Sequence, residues 1–332
     1  MGRRRTDLAR LVTYAAAAFP GIGICSGPHE SSTASSVIVF GLASAHLRQP
    51  TRVPIPEDDK GAHLIGQNRS SDEVQLDKAR NLPTSNSTSR LTTTKMAQEY
   101  VWLITGANRG IGLEMVKQLL QSPSNVVVAA SRNPAKATEL QELAEKANGK
   151  LHLVVLDVTD KESINKAAKE VAGFLGGKGI DYLINNAGVV LGGEDTAFSL
   201  DVDVLTKTFV TNVAGPAYVT QAFIGFVEKS EKKTVVNISS TMGSIGSDFG
   251  AIGASYAISK AALNMLTYKE AKEKPDITVI SMCPGWLQTD MGGPNASHPV
   301  SVGVEGVLKT ILSLKSENSG QFFNFQGQHV PW

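Results

Sequence analysis

The chain of 332 residues has only two cysteines, Cys25 and Cys283. That is too few for a disulfide framework or a multi-cysteine metal site, and no metal is expected. It lacks any uninterrupted apolar stretch of roughly 18 residues, so no membrane-spanning helix, and no membrane partner, is expected. It also lacks net charge: 32 Lys/Arg against 31 Asp/Glu leave +1. Phosphate-backbone recognition needs a strong basic excess, so nucleic acid is not an expected partner. What the chain does have is apolar residues, 42% against 19% charged, enough to bury one large α/β domain or two small ones. Its 31 glycines suit a fold with many strand-to-helix turns.

The charge is unevenly spread. Residues 1–95 carry 12 Lys/Arg and 8 Asp/Glu, whereas 96–332 carry 20 and 23. The first segment is rich in Ser and Thr, holds Pro50, Pro54 and Pro56, and shows no sustained period. It reads as a disordered N-terminal extension. At its start Arg3, Arg4 and Arg5 precede the apolar run Leu11–Phe19, a layout found in secretory and organelle-targeting peptides. Three readings stand side by side: a targeting segment, a regulatory tail, and a gene model extended upstream of a native initiator at Met96. Without a targeting signal the expected compartment is the cytoplasm.

From Tyr100 the pattern becomes periodic. Short apolar runs at Tyr100–Thr105, Val126–Ala130, Leu151–Leu156, Tyr182–Ile184, Thr234–Ile238 and Ile277–Met282 predict strands. Helical spacing separates them around Leu113–Leu120, Ala135–Ala147, Lys161–Phe174, Val204–Val227, Ser255–Lys272 and Val302–Leu314. Alternation of this kind implies parallel strands joined by right-handed crossovers, a doubly wound α/β sheet with helices on both faces. Ligands then bind beyond the carboxyl ends of the strands. The apolar face of Val204–Val227 has two explanations, burial in its own core and pairing with a second copy in a homo-oligomer.

The first strand runs into Thr105-Gly106-Ala107-Asn108-Arg109-Gly110-Ile111-Gly112. Glycines here allow a tight turn and close approach of a pyrophosphate, and the following helix offers its free N–H groups to the phosphates. The second strand ends in Ala130-Ser131-Arg132-Asn133, with no acid to take a ribose 2′-hydroxyl. Arg132, with Arg109 as a second candidate, suits a 2′-phosphate instead, so NADP(H) is the expected cofactor. A solvated loop arginine is the competing reading. Further along, Tyr256-Ala257-Ile258-Ser259-Lys260 puts a phenol and an amine on one helix face. A neighbouring ammonium favours the phenolate and should lower the tyrosine pKa from near 10, fitting Tyr256 as general acid/base. Cys283 reads as a small buried residue and not a nucleophile.

The spacing Gly-x-x-x-Gly-x-Gly, with the Tyr-x-x-x-Lys segment downstream, resembles the classical short-chain dehydrogenases/reductases over residues 100–332. The resemblance implies a single Rossmann-type catalytic domain over 96–332 acting on small carbonyl or alcohol substrates. It implies that Gly106, Asn108, Arg109, Gly110, Ile111, Gly112 and Arg132 bind the cofactor, with Asp157 and Val158 at the adenine. A helix cap through Asp157 or Asp160 is the local alternative. It further implies that Asn185, Asn186 and Ala187 of Asn185-Asn186-Ala187-Gly188 steady the sheet and line the cofactor, and that Pro284, Gly285, Leu287 and Thr289 fix the nicotinamide. Catalysis falls to Asn212, at the family's helix-breaking asparagine position, which holds a relay water, Ser240, which polarises the carbonyl, and Tyr256 with Lys260; the last two also hold cofactor. Ser239 is the neighbour to be told apart from Ser240. The ending Gly320–Trp332 and the Pro-Gly-Trp segment look like the sniffer/C-factor-like carbonyl reductase branch. The 16-residue step from Ser240 to Tyr256 implies extra loop around Asp248–Gly253. A cofactor-binding sensor without turnover, and dehydratase or epimerase chemistry on the same frame, are the rival functions.

Overall fold

A computed structural model describes residues 99–332. The 1–95 extension, its targeting layout, Cys25 and Met96 lie outside the described residues. Strands β1 (Tyr100–Thr105), β2 (Asn125–Ser131), β3 (Leu151–Val155), β4 (Tyr182–Asn185), β5 (Thr234–Ile238) and β6 (Thr278–Cys283) alternate with helices. These helices are α1 (Gly110–Leu119), α2 (Thr138–Lys146), α3 (Lys161–Leu175), α4 (Val202–Phe209), α5 (Gly215–Val227) and α6 (Ala254–Glu273). The two-residue strands β7 (Leu287–Gln288) and β8 (His298–Pro299) then precede α7 (Val300–Ser313) and β9 (Phe322–Asn324). The sheet order is β3-β2-β1-β4-β5-β6-β9, every pair parallel. The expected doubly wound architecture is present, and the order reverses between β1 and β4. That switch point opens a crevice at the carboxyl ends of these two strands.

Two cores sandwich the sheet, and β1 shows why. Its side chains alternate, Trp102 and Ile104 toward α1, α2 and α7, Val101 and Leu103 toward α3, α5 and α6. Trp102 is fully buried and stacks on Tyr182, ring centroids 3.8 Å apart. A side chain buried to this extent contributes about 2–3 kcal/mol. Both strand faces being covered explains why these runs are almost continuously apolar.

Several elements differ from the expectation. Ala135–Ala147 divides into a 3₁₀ turn, Pro134–Lys136, and α2. The long helix Val204–Val227 is interrupted by a π-helical turn, Val210–Ala214, between α4 and α5. Asn212 sits inside that turn, and Pro216, without an N–H, opens the helix that follows. Strands β7, β8 and β9 were not expected, because two or three residues are too few to show a period.

Candidate active site

The glycine turn is stitched to the end of β4. Thr105 Oγ1 accepts from the N–H groups of Asn186 and Ala187 (3.0 and 3.1 Å), and Asn186 Nδ2 donates to Thr105 O at 2.9 Å. Gly106 adopts φ +66°, and a Cβ there would lie 2.9 Å from Ala187 Cα. At Gly112 a Cβ would come within 2.4 Å of Gly106 O. These two glycines are therefore required by close packing, which leaves Gly110, facing Thr289 Cγ2, as the open position of the turn.

Helix α1 begins with no side-chain cap at Arg109 and no acid in its first turn. Its first N–H groups thus point into the crevice without a competing acceptor, the arrangement that takes phosphate. At the end of β2, Ser131 Oγ is buried with no hydrogen-bond partner, and Arg132 beside it is exposed. An orphaned buried hydroxyl at that edge fits a ligand oxygen. Asn108 and Arg109 are exposed, and Arg109 Nη1 pairs with Asp290 Oδ2 at 3.0 Å across the crevice. Both partners are largely solvated, so this pair is weak.

Asp157 does not cap a helix. Its Oδ1 accepts from Thr159 N and Oγ1 (2.9 and 2.7 Å), while Asp160 caps α3 through Glu162 N. Val158 is buried against Gly215 at the start of α5, so its backbone is what remains for a ligand. Asn185 lies in the sheet, donating to Thr220 Oγ1 and Asn237 Oδ1 (3.0 and 2.8 Å), and so steadies the core more than it lines the crevice. Beyond β6, Gly285 takes φ +89°, Leu287 is buried beneath Gly303, and Thr289 Oγ1 accepts from Gly292 N. Pro284 is buried, and Ile111 is half-buried against the core. A shallow depression of about 550 Å³ borders Gln288, Thr289 and Asp290 on its outer side. A second, of about 260 Å³, lies at the opposite ends of β4–β6, away from these groups.

The four polar residues expected to react come together. Tyr256 and Lys260 share α6, with Lys260 Nζ 5.6 Å from the phenol ring centroid. The Tyr256 hydroxyl is hydrogen-bonded to Ser240. Asn212 is fully buried: it accepts from Val189 N at 2.8 Å and donates to Val189 O and Ser259 Oγ. Asn212 Oδ1 and Lys260 Nζ both lie within 4 Å of the Cβ position of Gly188. Ser239 is separated cleanly from Ser240, since its buried Oγ donates to Asn264 Oδ1 at 2.6 Å while Ser240 opens toward Tyr256.

One expectation is reversed. Burial pushes the Tyr256 pKa up to about 12, reinforced by Cys283 and opposed only by the Ser240 hydrogen bond. The Lys260 ammonium does not lower it. Nζ is turned into the protein, donating to Ile238 O at 2.7 Å, and burial brings its own pKa down to about 8. Lys260 is buried and Tyr256 half-buried, and for both the cost of desolvating the charged form sets the direction.

Some organising residues escaped the sequence reading. Asp195 accepts from Ser255 N and Oγ and so fixes the start of α6, and Thr105 ties β1 to β4. Ser131 and Thr105 are each next to a motif residue at a strand end, the position that could have revealed them. Cys283, expected to be a buried inert residue, is buried, and its Sγ accepts from Thr241 N at 3.3 Å. No cluster of three His, Cys, Asp or Glu is placed to hold a metal among the described residues. No helix among them is long and apolar enough to cross a membrane.

A doubly wound sheet with a glycine turn at its switch point defines a dinucleotide-binding oxidoreductase frame. The family model for short chain dehydrogenase matches residues 100–299, and the chain belongs to that family of oxidoreductases. An uncharacterised oxidoreductase of Schizosaccharomyces pombe is 36% identical over 251 residues, 70% of this chain and 98% of its own length. The C-signal protein of Myxococcus xanthus is 39% identical over 161 residues, 46% of this chain and 93% of that one. Among solved structures, the NADPH-bound carbonyl reductase from chicken fatty liver superposes with a TM-score of 0.67 at 37% identity, covering 71% of this chain and all of that one. The carbonyl reductase Sniffer of D. melanogaster gives the same TM-score at 28% identity, with the same coverage.

Proposed function

We propose that the chain, through residues 96–332, is an NADP(H)-dependent carbonyl reductase. The observation that carries this reading is the hydrogen-bonded Ser240–Tyr256 pair with Lys260 and Asn212 beside Gly188, in a fold whose switch-point helix has an uncapped N-terminus. The α1 N–H groups and Gly110 would hold the pyrophosphate, Ser131 and Arg132 the 2′-phosphate, and Thr289 the nicotinamide end. The NADPH-bound state of the chicken neighbour supports the choice of cofactor. When bound, the cofactor supplies the hydride in reduction and accepts it in oxidation.

The chain's own work is orientation and proton handling. Ser240 donates a hydrogen bond to the substrate oxygen and polarises it. Tyr256, kept as a neutral phenol by burial, donates its proton to the oxygen as negative charge develops there. Asn212 and Lys260 form the inner end of the proton route, beside Gly188. The segments flanking this end, 189–197 and 244–253, carry Glu194, Asp195 and Asp248 but no lysine or arginine. That charge balance favours an uncharged carbonyl over a carboxylate-bearing one.

The test is NADPH absorbance with a panel of aldehydes, ketones and quinones. Carbonyl-dependent oxidation of NADPH, weaker with NADH, is expected. A chain that binds NADPH and consumes none with any carbonyl would instead be a cofactor sensor.

A further inference from the structure

The connection from Ser240 to Tyr256 carries the two hydrogen-bonded groups at its ends, and its middle is held by a distant part of the chain. After β9 the backbone turns at residues 324–328, with Asn324 N donating to Gln328 O and Gln328 N to Asn324 Oδ1 (both 2.9 Å). Val330 N then donates to Phe322 O at 2.8 Å. This return lays Pro331 and Trp332 along the turn Ser244–Ser247. Ser244 Oγ donates to Pro331 O at 2.6 Å, and Gly246 N donates to Trp332 O at 3.0 Å. The Trp332 ring stacks on Phe322, centroids 5.7 Å apart, and Phe322 is part of the core. A Cβ on Gly246 would sit 3.0 Å from Pro331 Cβ, so the two segments are in close contact.

The start of the same connection is fixed from the sheet, because Thr241 N donates to Sγ of Cys283, the last residue of β6 and the register partner of Asn324. Its far end is fixed by Asp195 on Ser255. Between these anchors Asp248 and Gly250 take positive φ, and Ile245, Phe249 and Ile252 are exposed. Gly243 still packs on Lys260 and Ala261 of α6, its carbonyl accepting from Asn264 Nδ2 at 3.2 Å, but the side chains beyond Ser244 have no core to pack into. For residues 244–246 the contacts of residues 331–332 are therefore the attachment from outside the connection.

We propose that residues 330–332 are a positioning strap: by holding Ser244 and Gly246 they set the path of the Ser240–Tyr256 connection and so the substrate side of the site. None of these residues touches the reacting groups. The kinetic part of the inference rests on the reductase reading, whereas the mechanical part does not. Loosening the strap should act on substrate fit and leave the phosphate-binding part of the nucleotide crevice, which is built on β1 and β2, as it was.

The experiment uses the full chain with Ser244→Ala, Gly246→Val, Trp332→Ala and Trp332→Phe. Hydrogen exchange of residues 241–253 reads the attachment without any turnover. It should rise roughly tenfold in the first three variants, the factor for about 1.4 kcal/mol of lost local stability, and stay low in Trp332→Phe, which keeps a ring on Phe322. The carbonyl KM should rise in the same three variants, with NADPH Kd unchanged. Unaltered exchange in Gly246→Val and Ser244→Ala would overturn the strap. So would a loss of NADPH affinity and Tm in step with KM, the sign of general destabilisation. A parent chain inert toward every carbonyl would retire the reductase reading while exchange still judged the strap.

Discussion

Lys260→Met should make this protein more stable at pH 7. The ammonium is buried, and burial lowers its pKa from 10.5 to about 8. That fall amounts to roughly 3 kcal/mol of folding free energy held against the charged form. The sign follows from proton counting. Between about pH 8 and 10.5 the unfolded chain keeps the lysine proton and the folded chain has lost it, so stability rises with pH across that window. Below pH 8 the folded protein carries the whole cost. Methionine removes the charge at similar volume but forfeits the hydrogen bond from Nζ to Ile238 O, about 1–2 kcal/mol. The net gain at pH 7 is then about 1–2 kcal/mol, and it should shrink as the folded lysine loses its proton and reverse above pH 10.5 to a deficit of about 1–2 kcal/mol, the lost hydrogen bond. Urea unfolding of both proteins at pH 7 and pH 10.5 measures it. Destabilisation of the variant by more than about 1 kcal/mol at pH 7 would refute the argument, as would an equal pH slope in both proteins. A lysine retained at such a cost is understandable where the site needs it.

Glu270 gives a slope of the opposite sign. Burial raises its pKa from 4.5 to about 7 against hydrogen bonds from Asn237 and Thr220, so it contributes stability that is complete below 4.5 and lost as pH rises through 7. Glu270→Gln should remove roughly 2–3 kcal/mol of that dependence in unfolding curves taken from pH 4.5 to 8, and an unchanged curve would contradict it. Arg132→Ala should raise the NADPH KM about 10–100-fold and leave the NADH value alone, as expected for a lost charge-assisted hydrogen bond. Equal effects on both nucleotides would remove Arg132 from the 2′-phosphate site. A carboxylated aromatic aldehyde should show at least about tenfold lower kcat/KM than its neutral parent, and parity would discard the charge argument.

The sheet was readable in the sequence because each central strand is buried on both faces, which leaves an apolar run bounded by turns. The glycine turn was readable because packing admits no side chain at Gly106 and Gly112. Tyr256 and Lys260 could be paired from helical spacing alone, and Ser239 told from Ser240 by likeness. The rest depended on tertiary structure. The break at Asn212 was legible by likeness but not from periodicity, because its hydrogen bonds run to Val189, 23 residues away. The tyrosine pKa was expected to fall from the nearness of an amine, but its direction is set by burial, which spacing does not show. Strand β9 and the return to Ser244 join residues 87 positions apart.

The central claim is that the Tyr256 hydroxyl, and not the fold around it, delivers the proton. Tyr256→Phe deletes that one atom from a half-buried side chain. NADPH titration and single-turnover reduction of one active carbonyl should show an unchanged Kd and a rate lowered by about 10²–10⁴-fold. A rate within a factor of about two of the parent, with the nucleotide still bound, would contradict it.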